Sequence, residues 1–471
     1  MTMNMHATAL LATFATVAAA SGQQPRESID LIVHGEYVVT MDAAQPVIED
    51  GAVAIDGGRI AAVGGRAAIE SSYTARETIP GHDRVLMPGL VNGHTHAAMV
   101  LFRGLADDLP LMRWLQEYIF PMEARFVDAE FVRVGVRLAC WEMIRGGTTT
   151  FVDMYFHPEV AAEVVDDCGL RAILAAPMID FPSPGFTGWD DSFAAGVAFA
   201  EAWAGRSERV APALGPHAAY TVSPEHLQQA WAAARRLGVP ISVHLAEDAS
   251  ETATIRERHG TTPVRHFERL GLLDQPTIAA HVVWPDLSEM AILARSRAGA
   301  IHNPTSNLKT GAGISPVPDM LAAGVRVGLG TDGAASNNDL DMWEEIRLAA
   351  LLHKGVRRET TVMPAHVVLC LATHCGAEAI DMGDEIGALV PGLRADLIQV
   401  SLASPRLAPL YDVVSHLVYV VDAQDVVTTI VSGRVLMRDG VVLTIDGDAA
   451  AADAARIADS IRAALDDGER E

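Results

Sequence analysis

The stretch Val85–His96, VLMPGLVNGHTH, sets the reading of the whole chain. An apolar run leads through Pro88-Gly89 into Leu90-Val91, the texture of a strand buried on both faces. It ends in two histidines separated by one residue. Residues i and i+2 of a strand point to the same face, so His94 and His96 leave the strand end side by side. The motif recurs downstream as an apolar strand closing on polar residues. In order come residues 148–155 (TTTFVDMY), 171–180 (RAILAAPMID), 211–220 (APALGPHAAY) and 241–248 (ISVHLAED). Residues 278–284 (IAAHVVW), 300–307 (AIHNPTSN) and 325–333 (VRVGLGTDG) follow. Amphipathic stretches such as HLQQAWAAARRLG and SEMAILARSRAG separate them. Strands alternating with helices predict parallel β/α units, and eight of them across about 300 residues predict an α/β fold, a (β/α)₈ TIM barrel.

Both ends of the chain have a different texture. Residues 29–79 show alternating apolar residues broken by Gly-Gly and Asp-Gly pairs, which predicts antiparallel hairpins rather than helices. ADLIQVSL and DVVTTIVSGRVLMRDGVVL repeat that texture near the other end. One small composite β-sandwich is therefore expected from residues 29–87 and 389–444, with the barrel over 88–388 and a C-terminal helix over 445–471. Residues 1–28 form an N-terminal extension. Its Ala-rich run Ala7–Ala20 is signal-like, yet no Lys or Arg precedes Arg26, and a mis-chosen start codon accounts for the run equally well. A cytoplasmic location is expected, with secretion as the alternative.

Of the 471 residues, half are apolar, enough for a sizeable core, and 35 basic residues face 60 acidic ones for a net charge of −25. Such a surface repels phosphate backbones and anionic lipid, which argues against nucleic-acid and membrane partners. The cysteines Cys140, Cys168, Cys370 and Cys375 are scattered in apolar or helical stretches without a C-x-x-C pair. Buried reduced thiols are expected, neither a disulfide framework nor a cysteine zinc site.

The chemistry lies at the C-terminal strand ends, where barrel active sites are built from several strands. The first carries His94 and His96, the fourth His217, the fifth His244 with Glu247 just beyond, and the sixth His281. The seventh carries His302 and Asn303, and the eighth Asp332. A lone strand histidine is more often structural than functional; it is the joint placement that points to a site. A His₃Asp set suits Zn²⁺, with Fe²⁺ or Mn²⁺ as alternatives, and leaves a position for water. The fourth strand holds no Lys or Glu to bridge a second ion, so one metal is expected.

HTH after PGLVNG, HLAED, GLGTDGAASNN and the PGLRADLI return together resemble the amidohydrolase superfamily, most closely its 5'-methylthioadenosine/S-adenosylhomocysteine deaminase branch, which includes triazine-type hydrolases. The resemblance implies that His94, His96, His244 and Asp332 hold the metal. It further implies that Glu247 passes a proton to the ring nitrogen, that Asp332 takes the proton of the attacking water, and that His281 orients the nucleophile. Glu123, in FPMEARF, aligns with the acid that binds the ribose 2'- and 3'-hydroxyls, and His217 with a residue near the nucleoside. Trp114 is a candidate apolar wall, though core packing is its commoner use. Homo-oligomers are usual in the family.

One departure bears on substrate. Relatives acting well on S-adenosylhomocysteine use arginines after the third strand, whereas here no Arg or Lys occurs between Arg171 and Arg206. Asp190 and Asp191 occupy that region instead, and Phe181, Phe186 and Trp189 suit a methylthio group. The expected substrate is 5'-methylthioadenosine or adenosine, a small purine nucleoside. Guanine, oxidised purines and s-triazines are the alternatives at the same site, and a barrel that has lost its chemistry is a third reading, opposed by the complete set of polar residues.

Overall fold

The computed structural model describes residues 26–468. Its core is an eight-stranded parallel sheet: β1 (Leu90–Thr95), β2 (Thr148–Met154), β3 (Arg171–Met178), β4 (Val210–Pro216), β5 (Ile241–Leu245), β6 (Thr277–His281), β7 (Ala298–His302) and β8 (Arg326–Leu329). Neighbours in sequence are neighbours in the sheet, as right-handed β/α crossovers require. The last gap, between β8 and β1, is closed by hydrogen bonds beyond the regular ladder. Asp332 N–H donates to His94 O (2.9 Å), Thr331 N–H donates to the Asn92 side chain (3.0 Å), and the Asn92 amide donates to Thr331 Oγ1 (2.7 Å). The closing seam thus joins the two strand ends that carry His94 and Asp332.

The barrel interior is apolar below the site, where Val91, Val152, Ile173, Ile278 and Ile301 meet Ala377 and Ile380 from the segment under β7. At Gly299 an added Cβ would lie 1.9 Å from Ala379 O, so only glycine admits this approach.

Both chain ends join in a single nine-stranded sheet, stitched where Leu397–Ser401 pairs antiparallel with Arg84–Pro88. Val33, Leu86, Leu397 and Ile430 share its apolar core. The sheet is mixed, which corrects the expectation of antiparallel hairpins alone. A short helix, Arg66–Ser72, carries the chain back so that Tyr73–Ile79 runs parallel to Glu27–Val39. Parallel neighbours need such a crossover. The C-terminal helix Gly447–Gly468 packs on the helix Ala129–Gly146. Sheet and barrel are locked by Arg171 of β3. Its guanidinium forks onto Asp396 (2.7 and 3.1 Å) and also donates to Ser432 Oγ (2.8 Å).

The cysteine expectation is partly overturned. Cys140 and Cys168 are buried free thiols, but Cys370 and Cys375 form a disulfide. Helix Ala365–Leu371 turns sharply into helix His374–Ala379, which brings the two Cα atoms to 5.0 Å. No sequence period signals that turn. The signal-like run Ala7–Ala20 lies outside the described residues. Among the described residues no helix is long and apolar enough to cross a membrane.

Candidate active site

The strand ends converge as a barrel requires. His94 and His96 leave β1, His244 leaves β5, His281 ends β6, and Asp332 follows β8. His96 Nε2 stands 3.3 Å from Asp332 Oδ1 and His94 Nε2 3.4 Å from it, while His244 Nε2 stands 3.3 Å from His96 Nε2. The second nitrogens of two of these rings are already committed: His96 Nδ1 donates to Met154 O (2.6 Å) and His244 Nδ1 to His217 O (2.8 Å). In a neutral imidazole whose Nδ1 carries the proton, Nε2 presents a lone pair, the form that binds a metal. Nδ1 of fully buried His94 has no hydrogen-bond partner, and its Nε2 has only the 3.4 Å contact with Asp332. Burial holds His94 down to about 4 and His244 well below the ordinary imidazole range, so both are neutral near pH 7. Imidazole nitrogens and a carboxylate crowded together, with the outer nitrogens of His96 and His244 fixed by carbonyls, match the donor set and outer shell of a divalent-metal site.

Asp332 is held from behind. Its Oδ2 accepts from Ser306 Oγ (2.7 Å) and Ser336 Oγ (2.8 Å), and Oδ1 accepts from Gly333 N–H (2.8 Å). Its backbone is left-handed, φ 63°, as is that of His281, φ 73°. Such strain at two neighbouring polar residues is typical of functional sites. His281 Nδ1 is bonded to Asn307 Oδ1 (2.9 Å), which leaves Nε2 facing Glu247 at 3.7 Å. Burial raises the Glu247 carboxyl well above the usual range, and the charges of Asp332 and Asp248 add to this. Burial thus favours the neutral, proton-bearing form of this carboxyl.

These groups open into one pocket roofed by the helical segment 111–126. One π-helical turn, Leu115–Ile119, interrupts it. The extra residue in that turn puts Leu111, Trp114, Ile119, Phe120 and Glu123 on a single face towards the pocket. Trp114 is thus a pocket wall, and Glu123 is buried rather than an exposed helix-start acid. The Tyr155 hydroxyl donates to Glu123 Oε1 (2.8 Å), and burial pushes that carboxyl up to about 7 against this bond. His217 also lines the pocket, with Nδ1 3.1 Å from Thr221 Oγ1. No Lys or Arg is among the lining residues.

Not every expected residue arrives. His302 sits outside the barrel interior with both ring nitrogens unpartnered, its ring 5.5 Å from His353. Strand alternation sends Ile301 inward and His302 outward; Asn303 then approaches His281 Nδ1 at 3.2 Å. Phe181, Phe186 and Trp189 do not line the pocket. Trp189 stacks on His226 at 4.4 Å, Phe181 packs behind Phe120, and Phe186 packs against the core. Tyr155, Ser306 and Ser336 were missed. Tyr155 closes the second strand stretch at the same end as the histidines, so the strand-end rule alone could have found it.

A barrel whose strand ends gather histidines, an aspartate and a buried glutamate around one pocket defines a metal-dependent hydrolase. The chain belongs to the amidohydrolase family, whose model matches residues 85–436. An imidazolonepropionase-like composite domain of bacteria matches residues 51–75 in the small sheet. A 5-methylthioadenosine/S-adenosylhomocysteine deaminase of Moorella thermoacetica is 45% identical over 86% of this chain and 93% of its own. The protein of that name from Pelotomaculum thermopropionicum is 43% identical over 90% of this chain and 97% of its own. Among solved structures, a zinc-bound adenosine deaminase from Xanthomonas campestris matches with TM-score 0.91 and 38% identity, over 93% of this chain and 100% of that one.

Proposed function

We propose that this protein hydrolyses the exocyclic amino group of an adenine nucleoside, 5'-methylthioadenosine or adenosine, to give the inosine product and ammonia. The observation that carries the reading is a single pocket lined by His96, His244 and Asp332 of the His₃Asp cluster, by Glu247, and by the buried Glu123–Tyr155 pair. The relatives named for adenine-nucleoside deamination support it. One Zn²⁺, with Fe²⁺ or Mn²⁺ as alternatives, held by His94, His96, His244 and Asp332, would supply Lewis-acid activation of water.

The remaining steps fall to side chains. Glu247 donates its proton to the ring nitrogen beside the attacked carbon. Asp332, its other oxygen held by two serines, takes a proton from the attacking water and passes it to the departing amine. As the carbonyl forms, the new hydroxyl returns a proton to Glu247, so the acid is regenerated. His281, fixed by Asn307, orients the nucleophile. Tyr155 occupies Glu123 Oε1 and leaves Oε2 for the ribose hydroxyls, while Trp114, Ile119 and Phe120 keep water off the ring.

A pocket without Lys or Arg favours a neutral 5' group over the charged tail of S-adenosylhomocysteine. Guanine, oxidised purines and triazines lack the vicinal hydroxyls that would give buried Glu123 its use. The test is ammonia release by zinc-loaded protein from adenosine, 5'-methylthioadenosine, S-adenosylhomocysteine, guanine and a triazine. Fast turnover of the neutral nucleosides with S-adenosylhomocysteine poor is the expected pattern; activity on a free base or triazine alone would overturn it.

A further inference from the structure

Glu247 enters the pocket with little to hold its side chain. Among the described residues no protein group donates a hydrogen bond to its carboxyl, and the nearest polar partner is His281 Nε2 at 3.7 Å. It lines the main pocket on one side and a second cavity of about 180 Å³ on the other. Its aim therefore depends on its main chain. The preceding residue, Ala246, is left-handed at φ 52°, a conformation that a residue bearing a Cβ adopts only when its surroundings impose it. Part of that imposition comes from the segment that follows β6, since Val283 and Trp284 N–H both donate to Ala246 O (2.9 and 3.1 Å).

The other part comes from Glu251. Asp248 caps the helix Ala249–His259 by accepting Ser250 N–H (2.7 Å). In an ordinary capping box the third helical residue returns its carboxylate to the N–H of the cap residue. Glu251 holds that third position but bypasses Asp248 and accepts the N–H of Glu247 at 2.8 Å. It is 3% exposed, and its Oε1 has no partner. Burying a carboxyl with one oxygen unmatched is costly, and a surface cap would achieve helix initiation without that cost.

We propose that Glu251 is a positioning residue for Glu247: its carboxyl oxygen fixes the Ala246–Glu247 turn and so aims the Glu247 carboxyl into the pocket. The inference rests on the proton-donor role given to Glu247 above. A donor misplaced by about an ångström loses on the order of 100-fold in rate while substrate binding elsewhere is kept.

The test compares Glu251→Ala, Glu251→Met, Glu251→Gln and Glu247→Gln in zinc-loaded protein, with kcat and KM on adenosine and zinc per chain measured for each. Glu251→Met keeps the volume without an acceptor and serves where the alanine variant fails to fold. The expected result is a fall in kcat of about 100-fold for Ala or Met, KM within about threefold, unchanged zinc, and recovery by Gln to within about threefold of the parent. Gln retains an oxygen for the Glu247 N–H. Parental kcat in Glu251→Met overturns the inference, as does a loss that Gln shares in full or one explained by lost zinc. A Glu247→Gln variant of parental rate would instead sink the assignment of Glu247 itself.

Discussion

Glu123→Gln exchanges one oxygen for an NH₂ group at a buried position, and its consequences for substrate and for stability can be worked out separately. In the parent, Tyr155 O–H donates to Oε1 and leaves Oε2 as an acceptor for the ribose hydroxyls. In the variant the amide oxygen is taken by Tyr155, so NH₂ faces the ribose and the charge-assisted acceptor is gone. A hydrogen bond to a charged group contributes about 1.5–3 kcal/mol, so kcat/KM on adenosine should fall roughly 10- to 100-fold. 2',3'-Dideoxyadenosine, which lacks both hydroxyls, should change little. The stability effect has the opposite sign. Burial pushes the Glu123 carboxyl from its ordinary value up to about 7. A raised carboxyl favours the fold while protonated, below its unfolded value near 4.5, and that contribution is lost as pH rises through about 7. The difference corresponds to about 3 kcal/mol, which Gln, neutral throughout, does not lose. Urea unfolding should show parent and variant alike near pH 4 and below, and the variant more stable by about 3 kcal/mol near pH 8.5. The parent's KM for adenosine should also rise as pH falls below about 7, because protonation removes the acceptor. A stability difference that does not vary with pH, or equal losses on adenosine and its dideoxy analogue, would refute the reasoning.

Other expectations follow from the same geometry. Glu247→Gln removes the proton donor and should lower kcat by about 10²–10⁴ with nucleoside affinity by equilibrium dialysis nearly unchanged; a parental rate would count against proton donation. Chelation should abolish ammonia release and lower the midpoint of thermal unfolding, because imidazole nitrogens and a carboxylate are then left facing one another, and one equivalent of Zn²⁺ should restore both. Arg171→Met should destabilise the protein by about 3–5 kcal/mol, since it strands buried Asp396 without its cation. Denaturant titration measures it, and a change below about 1 kcal/mol would show that the bidentate pair is dispensable.

The strand pattern and the strand-end histidines were legible because barrel strands are short, apolar and punctuated, and because parallel β/α topology places all their C-terminal ends on one face. Knowing that face was enough to nominate His94, His96, His244, His281 and Asp332. It was not enough for His302. A one-residue difference in where a strand turns outward decides whether a histidine faces the mouth or a helix behind it. The aromatic residues after β3 were misjudged for a related reason. Composition shows that Phe181, Phe186 and Trp189 are apolar, but not that Trp189 is buried against His226 while Phe181 stays exposed.

What the sequence by itself determined is the barrel, the composite origin of the small sheet, and the gathering of histidines and an aspartate at one barrel mouth, because each follows from periodicity and residue chemistry along single strands. What only the tertiary structure decided involves partners distant in sequence or a break in regular geometry. The π-helical turn brought Trp114 and Glu123 onto the pocket, Tyr155 met Glu123, and Ser306 from the helix Pro304–Lys309 and Ser336 from a turn closed on Asp332. Cys370 found Cys375 across a helix turn, and Glu251 reached past its own cap to Glu247. Periodicity tells which face of an element is buried; which atoms it is buried against is set by the packing of elements far apart in the chain.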